Sequence, residues 1–154
     1  MMKLLCEQVL KALKGKKLAT AESCTGGGIG AAITAVSGSS AVYKGGIISY
    51  QNEVKRDLLG VSESDLESLG PVSAPVAEQM ATGVRKALKA DVSVSVTGLA
   101  GPGGDEFGNP VGTVYIGYAD EKGTFARKFL FDGNREDVRN QAIENALKII
   151  LEKN

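Results

Sequence analysis

Apolar residues recur every three or four positions in some stretches of the chain and every second position in others, and the changes of period mark its elements. Leu5, Val9 and Leu13 form a helical stripe over residues 2–14, stopped by Gly15. A short strand over 17–22 (KLATAE) runs into Ser23, Cys24 and a glycine run, after which Ile29, Ile33 and Val36 mark a helix over about 26–37. Residues 42–50 (VYKGGIISY) fit a strand in which Gly45 and Gly46 predict a bulge or a close backbone approach. Asn52 is then expected to cap a short helix that carries Val54, Lys55, Leu58 and Leu59 and closes at Gly60. Ser62 and Asp65 begin a small helix running to Leu69, and Ser73 with Pro75 opens a longer one whose face is Val76, Met80, Val84 and Leu88.

The period then shortens. Val92, Val94 and Val96 alternate with Ser93, Ser95 and Thr97, which predicts a strand with one buried face. A Gly/Pro-rich loop over 98–110 (GLAGPGGDEFGNP) follows, then strands over 111–119 and 124–131 joined as a hairpin by DEKG. Val138, Ala142, Ala146 and Ile149 define a closing helix over 135–152. Helical crossovers early and a hairpin late predict an α/β fold: a three-layer α/β/α sandwich with a mixed sheet and a C-terminal antiparallel hairpin. Without repeats or linkers, residues 1–154 are expected to form one domain.

Composition narrows the chemistry. The 154 residues contain no histidine, so a serine or cysteine nucleophile cannot be activated by imidazole, and His-ligated zinc or haem is excluded. Two cysteines are too few for a four-cysteine metal site and fit a reducing, cytoplasmic setting. Eighteen basic and eighteen acidic residues cancel, so no overall field favours nucleic acid or an anionic membrane. The charges in residues 2–14 do not fit a signal peptide, and no stretch has the length of a membrane span.

The 20 glycines, roughly twice the usual share, gather in a few loops where a site is expected. Ser23 stands where a strand hands over to a helix, so its hydroxyl could attack an acyl group with amides near Cys24 to Gly27 holding the oxyanion; equally, Ser23 or Thr25 could simply cap that helix. With no imidazole, the base near neutral pH would be a desolvated lysine, and Lys55 with Tyr50 is the best candidate. That role needs a pKa drop of about 3 from the ordinary value; the alternative is an exposed Lys55 paired with Glu53 or Asp57. Cys24 is a rival nucleophile or a buried inert thiol. Gly26, Gly28 and Ala31 also satisfy the G-x-G-x-x-A dinucleotide pattern, which leaves open a non-catalytic nucleotide-binding or regulatory module. An acid at the end of the second strand, where that pattern places its ribose ligand, is missing.

Four collinear segments, AESCTGG at 21–27, VSGSSAVYKGGIISYQNEVK at 36–55, VTGLAGPGG at 96–104 and PVGTVYIG at 110–117, resemble the CinA C-terminal domain family. The resemblance implies hydrolysis of the carboxamide of nicotinamide mononucleotide (NMN) to nicotinic acid mononucleotide and ammonia, in the pyridine nucleotide salvage that feeds NAD synthesis. Carried over, Ser23 is the nucleophile and Lys55 with Tyr50 the activating pair. Substrate contacts fall to Thr25, Gly26, Ser39, Ser40, Gly45, Gly46, Thr97, Gly98, Ala100, Gly101 and Arg135. The resemblance also implies the stand-alone form of the family, no metal or organic cofactor and a small-molecule partner. Separately, the apolar helix faces and small size lead us to expect a homodimer or higher homo-oligomer.

Overall fold

The computed structural model describes residues 1–154. Its elements follow the expected order: α1 (Met2–Ala12), β1 (Leu18–Glu22), α2 (Gly28–Thr34), a 3₁₀ turn (Ser39–Ala41), β2 (Tyr43–Ile48), α3 (Asn52–Leu59), α4 (Glu63–Ser68), α5 (Ala74–Ala87), β3 (Val92–Gly98), β4 (Thr113–Asp120), β5 (Gly123–Leu130) and α6 (Arg135–Lys153). The sheet runs β2-β1-β3-β4-β5. β1 is parallel to both β2 and β3, whereas β4 is antiparallel to β3 and β5.

Alternation along the strands gives each face its own core. Leu18, Val92, Val94, Val96, Val114 and Ile116 pack with α1, α2 and α6 on one side. Ala19 and Ala21 meet Leu59 of α3, Leu66 of α4 and the Val76, Met80 and Val84 stripe of α5 on the other. The fold is therefore the expected sandwich of two helix layers about a mixed sheet.

Three local expectations need correction. The serine face of β3 is buried, not exposed: Ser93 and Ser95 are 0% accessible, and their hydroxyls donate to the Ala81 and Ala77 carbonyls of α5, each at 2.6 Å. Hydroxyls that find acceptors this way can enter a core at little cost, so polar alternation need not mean a wet face. Asn52 is the first residue of α3, and Gln51 precedes it as the N-cap without a side-chain bond. Strand β2 ends at Ile48, not at Tyr50. The bulge lies one residue before the expected glycines: the register slips between Leu18–Tyr43 and Ala19–Gly45, leaving Lys44 as the extra residue while Gly45 and Gly46 stay paired.

The topology also creates a crevice. From β1 the chain crosses by α2 to β2 on one side, and it returns by α3, α4 and α5 on the opposite face to β3 on the other side. The loops leaving the C-terminal ends of β1 and β3 therefore part, and such a switch point is where open α/β sheets leave room for a ligand.

Candidate active site

Ser23 leaves β1 at this crevice. Its amide extends the ladder to Val96 O at 3.0 Å, and the chain then turns sharply through Gly26 (φ +59°) and Gly27 (φ +100°), left-handed values that favour glycine. Neither Ser23 nor Thr25 caps α2. Glu22, 2% exposed, does so instead: its carboxylate accepts from Ile29 N at 2.8 Å, Gly30 N at 3.1 Å and Thr25 Oγ1 at 2.7 Å. The positive end of the helix is thus already matched by a negative charge. In the turn itself the Cys24 and Thr25 amides engage no other group in the chain.

Arg139 secures the turn from α6, donating from Nε to Cys24 O at 3.0 Å and from Nη2 to Thr25 O at 3.2 Å. Sequence reasoning passed over Glu22 and Arg139. For Arg139 the signal was its i,i+4 spacing from Arg135, which puts both guanidinium groups on one helix face.

Lys55 is 1% exposed and shares the inward face of α3 with Leu59, four residues on. It pairs with neither Glu53 nor Asp57, since Asp57 is taken by Arg56 at 2.8 Å. Its Nζ donates to Ser49 O at 2.7 Å, Tyr50 O at 3.1 Å and Ser23 Oγ at 3.1 Å. Burial pushes its pKa from 10.5 down to about 8, with the neighbouring Cys24 opposing the shift. An amine that has lost a proton keeps two N–H bonds for the two carbonyls and turns its lone pair to the serine hydroxyl. Cys24, 6% exposed, moves the other way: burial pushes its thiol up to about 11, outweighing the lowering effects of a backbone hydrogen bond, Arg139 and Lys55. It is a neutral thiol at pH 7, which is a poor nucleophile.

These groups open onto a cleft of about 230 Å³, walled by Ser23, Lys55, Val72, Thr97, Ala100 and Arg135 among others. Gly98 and Gly101 belong to the same wall. Thr97 anchors it by donating to Pro71 O at 2.8 Å. Arg135 spans the mouth, bonding Gly101 O at 2.7 Å and the Tyr50 hydroxyl at 3.4 Å. Tyr50 departs from expectation: the residue is 60% exposed at the rim, and its main-chain carbonyl, rather than its phenol, meets Lys55.

Other expected contacts lie elsewhere. Thr25 is fully buried with its hydroxyl spent on Glu22, and Gly26 faces Arg139. Gly45 and Gly46 pair with Ala19 and Thr20 within the sheet, where an added Cβ on Gly46 would meet Thr20 O at 2.9 Å. Ser39 and Ser40 sit at the start of β2, the opposite end from Ser49 and the cleft. None of these six residues lines the cleft within one chain. The G-x-G-x-x-A motif is likewise not a phosphate cradle, because the Glu22 carboxylate holds the amides that a phosphate would need.

A wider hollow of about 800 Å³ adjoins the cleft at Pro71, but it is lined by Glu53, Glu63, Glu67, Asp105 and Glu106 against Arg56 alone. Its negative surface repels anions, and it holds no nucleophile. The cleft with Ser23 and Lys55 is therefore the candidate site, equipped for acyl transfer by a hydroxyl with an amine as base. No helix in the structure is long and apolar enough to cross a membrane.

Comparison with known proteins supplies context for this geometry. Residues 2–153 match the model of the CinA C-terminal domain family. A CinA-like protein of Rippkaea orientalis is 49% identical over 143 residues, covering 91% of this chain and 34% of that protein. The nicotinamide-nucleotide amidohydrolase PncC of Escherichia coli K12 is 44% identical over 152 residues, covering 97% of this chain and 92% of its own. The crystal structure of competence damage-inducible protein A of Klebsiella pneumoniae superposes with a TM-score of 0.96 at 35% identity, covering 99% of this chain and 96% of that one. The chain spans about a third of the length of the CinA-like relatives, and nearly the whole of the E. coli amidohydrolase.

Proposed function

This chain belongs to the CinA C-terminal domain family, and on that premise we propose that it hydrolyses the carboxamide of nicotinamide mononucleotide to nicotinic acid mononucleotide and ammonia, as part of pyridine nucleotide salvage. The observation that carries the mechanism is the 3.1 Å contact between Lys55 Nζ and Ser23 Oγ in a buried site. Neutral Lys55 takes the hydroxyl proton as Oγ bonds to the carboxamide carbon, and the carbonyl π pair moves onto oxygen. Turn amides at Cys24 and Thr25 receive that oxyanion, each well-aimed donor contributing roughly 3 kcal/mol. Collapse of the intermediate expels the amide nitrogen, which takes the proton from Lys55 and departs as ammonia. Water then gives a proton to Lys55 and attacks the ester, and the proton returns to Ser23 as the C–O bond breaks. The acid product gives up its remaining proton to solvent and leaves as the carboxylate, with Lys55 neutral again.

Arg135 is the fork for the substrate phosphate, since it stands at the mouth with a planar set of donors. The Thr97–Gly101 segment borders the ribose, and Tyr50 at the rim orients Arg135. The enzyme acts in the cytoplasm, on a soluble small molecule and without a cofactor, as a homodimer or higher homo-oligomer. A purely nucleotide-binding role is less well supported, because Glu22 occupies the amides that the glycine motif would offer.

The test is ammonia release across NMN, nicotinamide, nicotinamide riboside and NAD, with calorimetry alongside. Turnover of NMN well above the others supports the reading. NMN binding without ammonia refutes the chemistry, and turnover of another amide alone refutes the substrate.

A further inference from the structure

Glu22 and Lys55 are the only charged side chains buried in the protein, and they do not pair with each other. Buried charges ordinarily pair, so the neutral partners that each takes instead call for an explanation. Lys55 has the hydroxyl and two carbonyls described above. Glu22 binds two different pieces of the site at once. Its carboxylate gathers Thr25 Oγ1, Ile29 N and Gly30 N, and its own main-chain carbonyl accepts Ser49 N at 2.8 Å. Ser23 is the next residue along the chain, and the Ser49 carbonyl is the acceptor closest to Lys55 Nζ. One residue therefore ties the turn that carries the nucleophile to the strand end whose carbonyls hold the base. The tie matters because Gly26 and Gly27 lie inside the span it closes, and glycines leave that span the most freedom to relax.

We propose that Glu22 is a positioning residue for the amidase chemistry: its carboxylate, through Thr25 and the first amides of α2, holds the Ser23 turn so that Oγ faces Lys55 Nζ. This rests on the Ser23–Lys55 reading above and adds a residue to it that touches no substrate.

The test compares the parent with Thr25→Val, Thr25→Ser and Glu22→Gln in three measurements. These are kcat and KM for ammonia release from NMN, the melting temperature, and the rate at which phenylmethanesulfonyl fluoride modifies Ser23, followed by intact mass. Thr25→Val keeps the shape and deletes one donor to Glu22; kcat should fall about 10-fold with KM within a factor of about two, and sulfonylation should slow in parallel. Thr25→Ser restores the hydroxyl and should return kcat to within about twofold of the parent. Glu22→Gln turns an amide NH₂ toward a backbone N–H and should cost about 100-fold in kcat, again at near-constant KM.

A role in stability alone would lower the melting temperature and leave kcat per folded molecule unchanged, which overturns the proposal. A raised KM with retained kcat also overturns it, because Thr25 would then be touching substrate. If Glu22→Gln does not fold, Thr25→Val and its serine rescue decide. A parent that neither releases ammonia nor reacts with the sulfonyl fluoride overturns the Ser23–Lys55 reading and the positioning role together, whereas an active parent with unaffected variants overturns the positioning role alone.

Discussion

The sharpest consequence of the site concerns pH. Lys55 must be neutral to accept the Ser23 proton, and its burial lowers its pKa from 10.5 to about 8. At pH 7 an ordinary lysine is neutral in about 3 molecules in 10,000, whereas one with a pKa near 8 is neutral in about one in ten, a gain of roughly 300-fold. In barrier terms this is about 3 kcal/mol supplied by desolvation before any oxyanion donor acts. The free-enzyme profile follows directly. kcat/KM for NMN should rise about tenfold per pH unit between pH 6 and 7.5 and level off above about pH 8, as the competent neutral form saturates. The assay is initial-rate ammonia release from pH 6 to 9.5 at constant ionic strength, with substrate well below KM. The NMN phosphate also titrates near pH 6, so the limb near 8 is the diagnostic one. A profile flat from pH 7 to 9 would refute the base assignment, and so would a limb still climbing at pH 9.5 as an unshifted amine requires.

Other outcomes follow from the same geometry. Ser23→Ala should abolish ammonia release while leaving the fold intact, and Cys24→Ala should retain most activity because the thiol is neutral at pH 7; mass spectrometry of a trapped acyl-enzyme locates the nucleophile independently. Lys55→Met should be inactive yet more stable. The folded pKa lies below the unfolded one, so the unfolded chain binds more protons between pH 8 and 10.5 and parent stability rises with pH across that window. At pH 7 the substitution removes a penalty of up to about 3 kcal/mol, readable by urea denaturation; equal or lower stability at pH 7 would contradict the burial argument. Arg135→Ala should raise KM for NMN at least tenfold with little change in kcat, and should not weaken binding of nicotinamide riboside, which lacks the phosphate.

The order of elements was legible because nearly every helix and strand carries its own period and stop signal. What misled was polarity taken as exposure. Ser93 and Ser95 alternate with valines as surface residues do, yet they donate to carbonyls of the helix that precedes their strand and packs over it. Lys55 carried the reverse hint, standing four residues before Leu59 on the same helical stripe, so that its face was readable even though its partners were not. Those partners are main-chain carbonyls at the end of a strand, and no side-chain pattern announces them. Glu22 was invisible for the same reason: two of its three donors are amides seven and eight residues on. Tyr50 fell in the right place with the wrong atom, since a residue position does not say whether ring or carbonyl faces inward. Ser39, Ser40, Gly45 and Gly46 were drawn from a resembling segment that also contains Lys55, but the two serines precede the six-residue strand β2 and the two glycines lie within it, whereas Ser49 and the cleft follow it.

The arrangement around Lys55 makes little sense as a device for stability. An ammonium taken out of water is normally matched by a carboxylate, and the only other buried ion, Glu22, directs its oxygens to Thr25, Ile29 and Gly30. Methionine would fill the same space with no charge to desolvate. Six residues before Lys55, Ser49 adds a second cost, because its hydroxyl is fully enclosed and has no hydrogen-bond partner. Both costs fall at the end of β2, where the chain leaves the strand to present two carbonyls to one amine. Elsewhere the buried polar side chains find partners, down to the serines of β3. Penalties concentrated at one point in an otherwise satisfied structure are what a reactive group requires, since an amine held comfortably as a cation could not remove a proton.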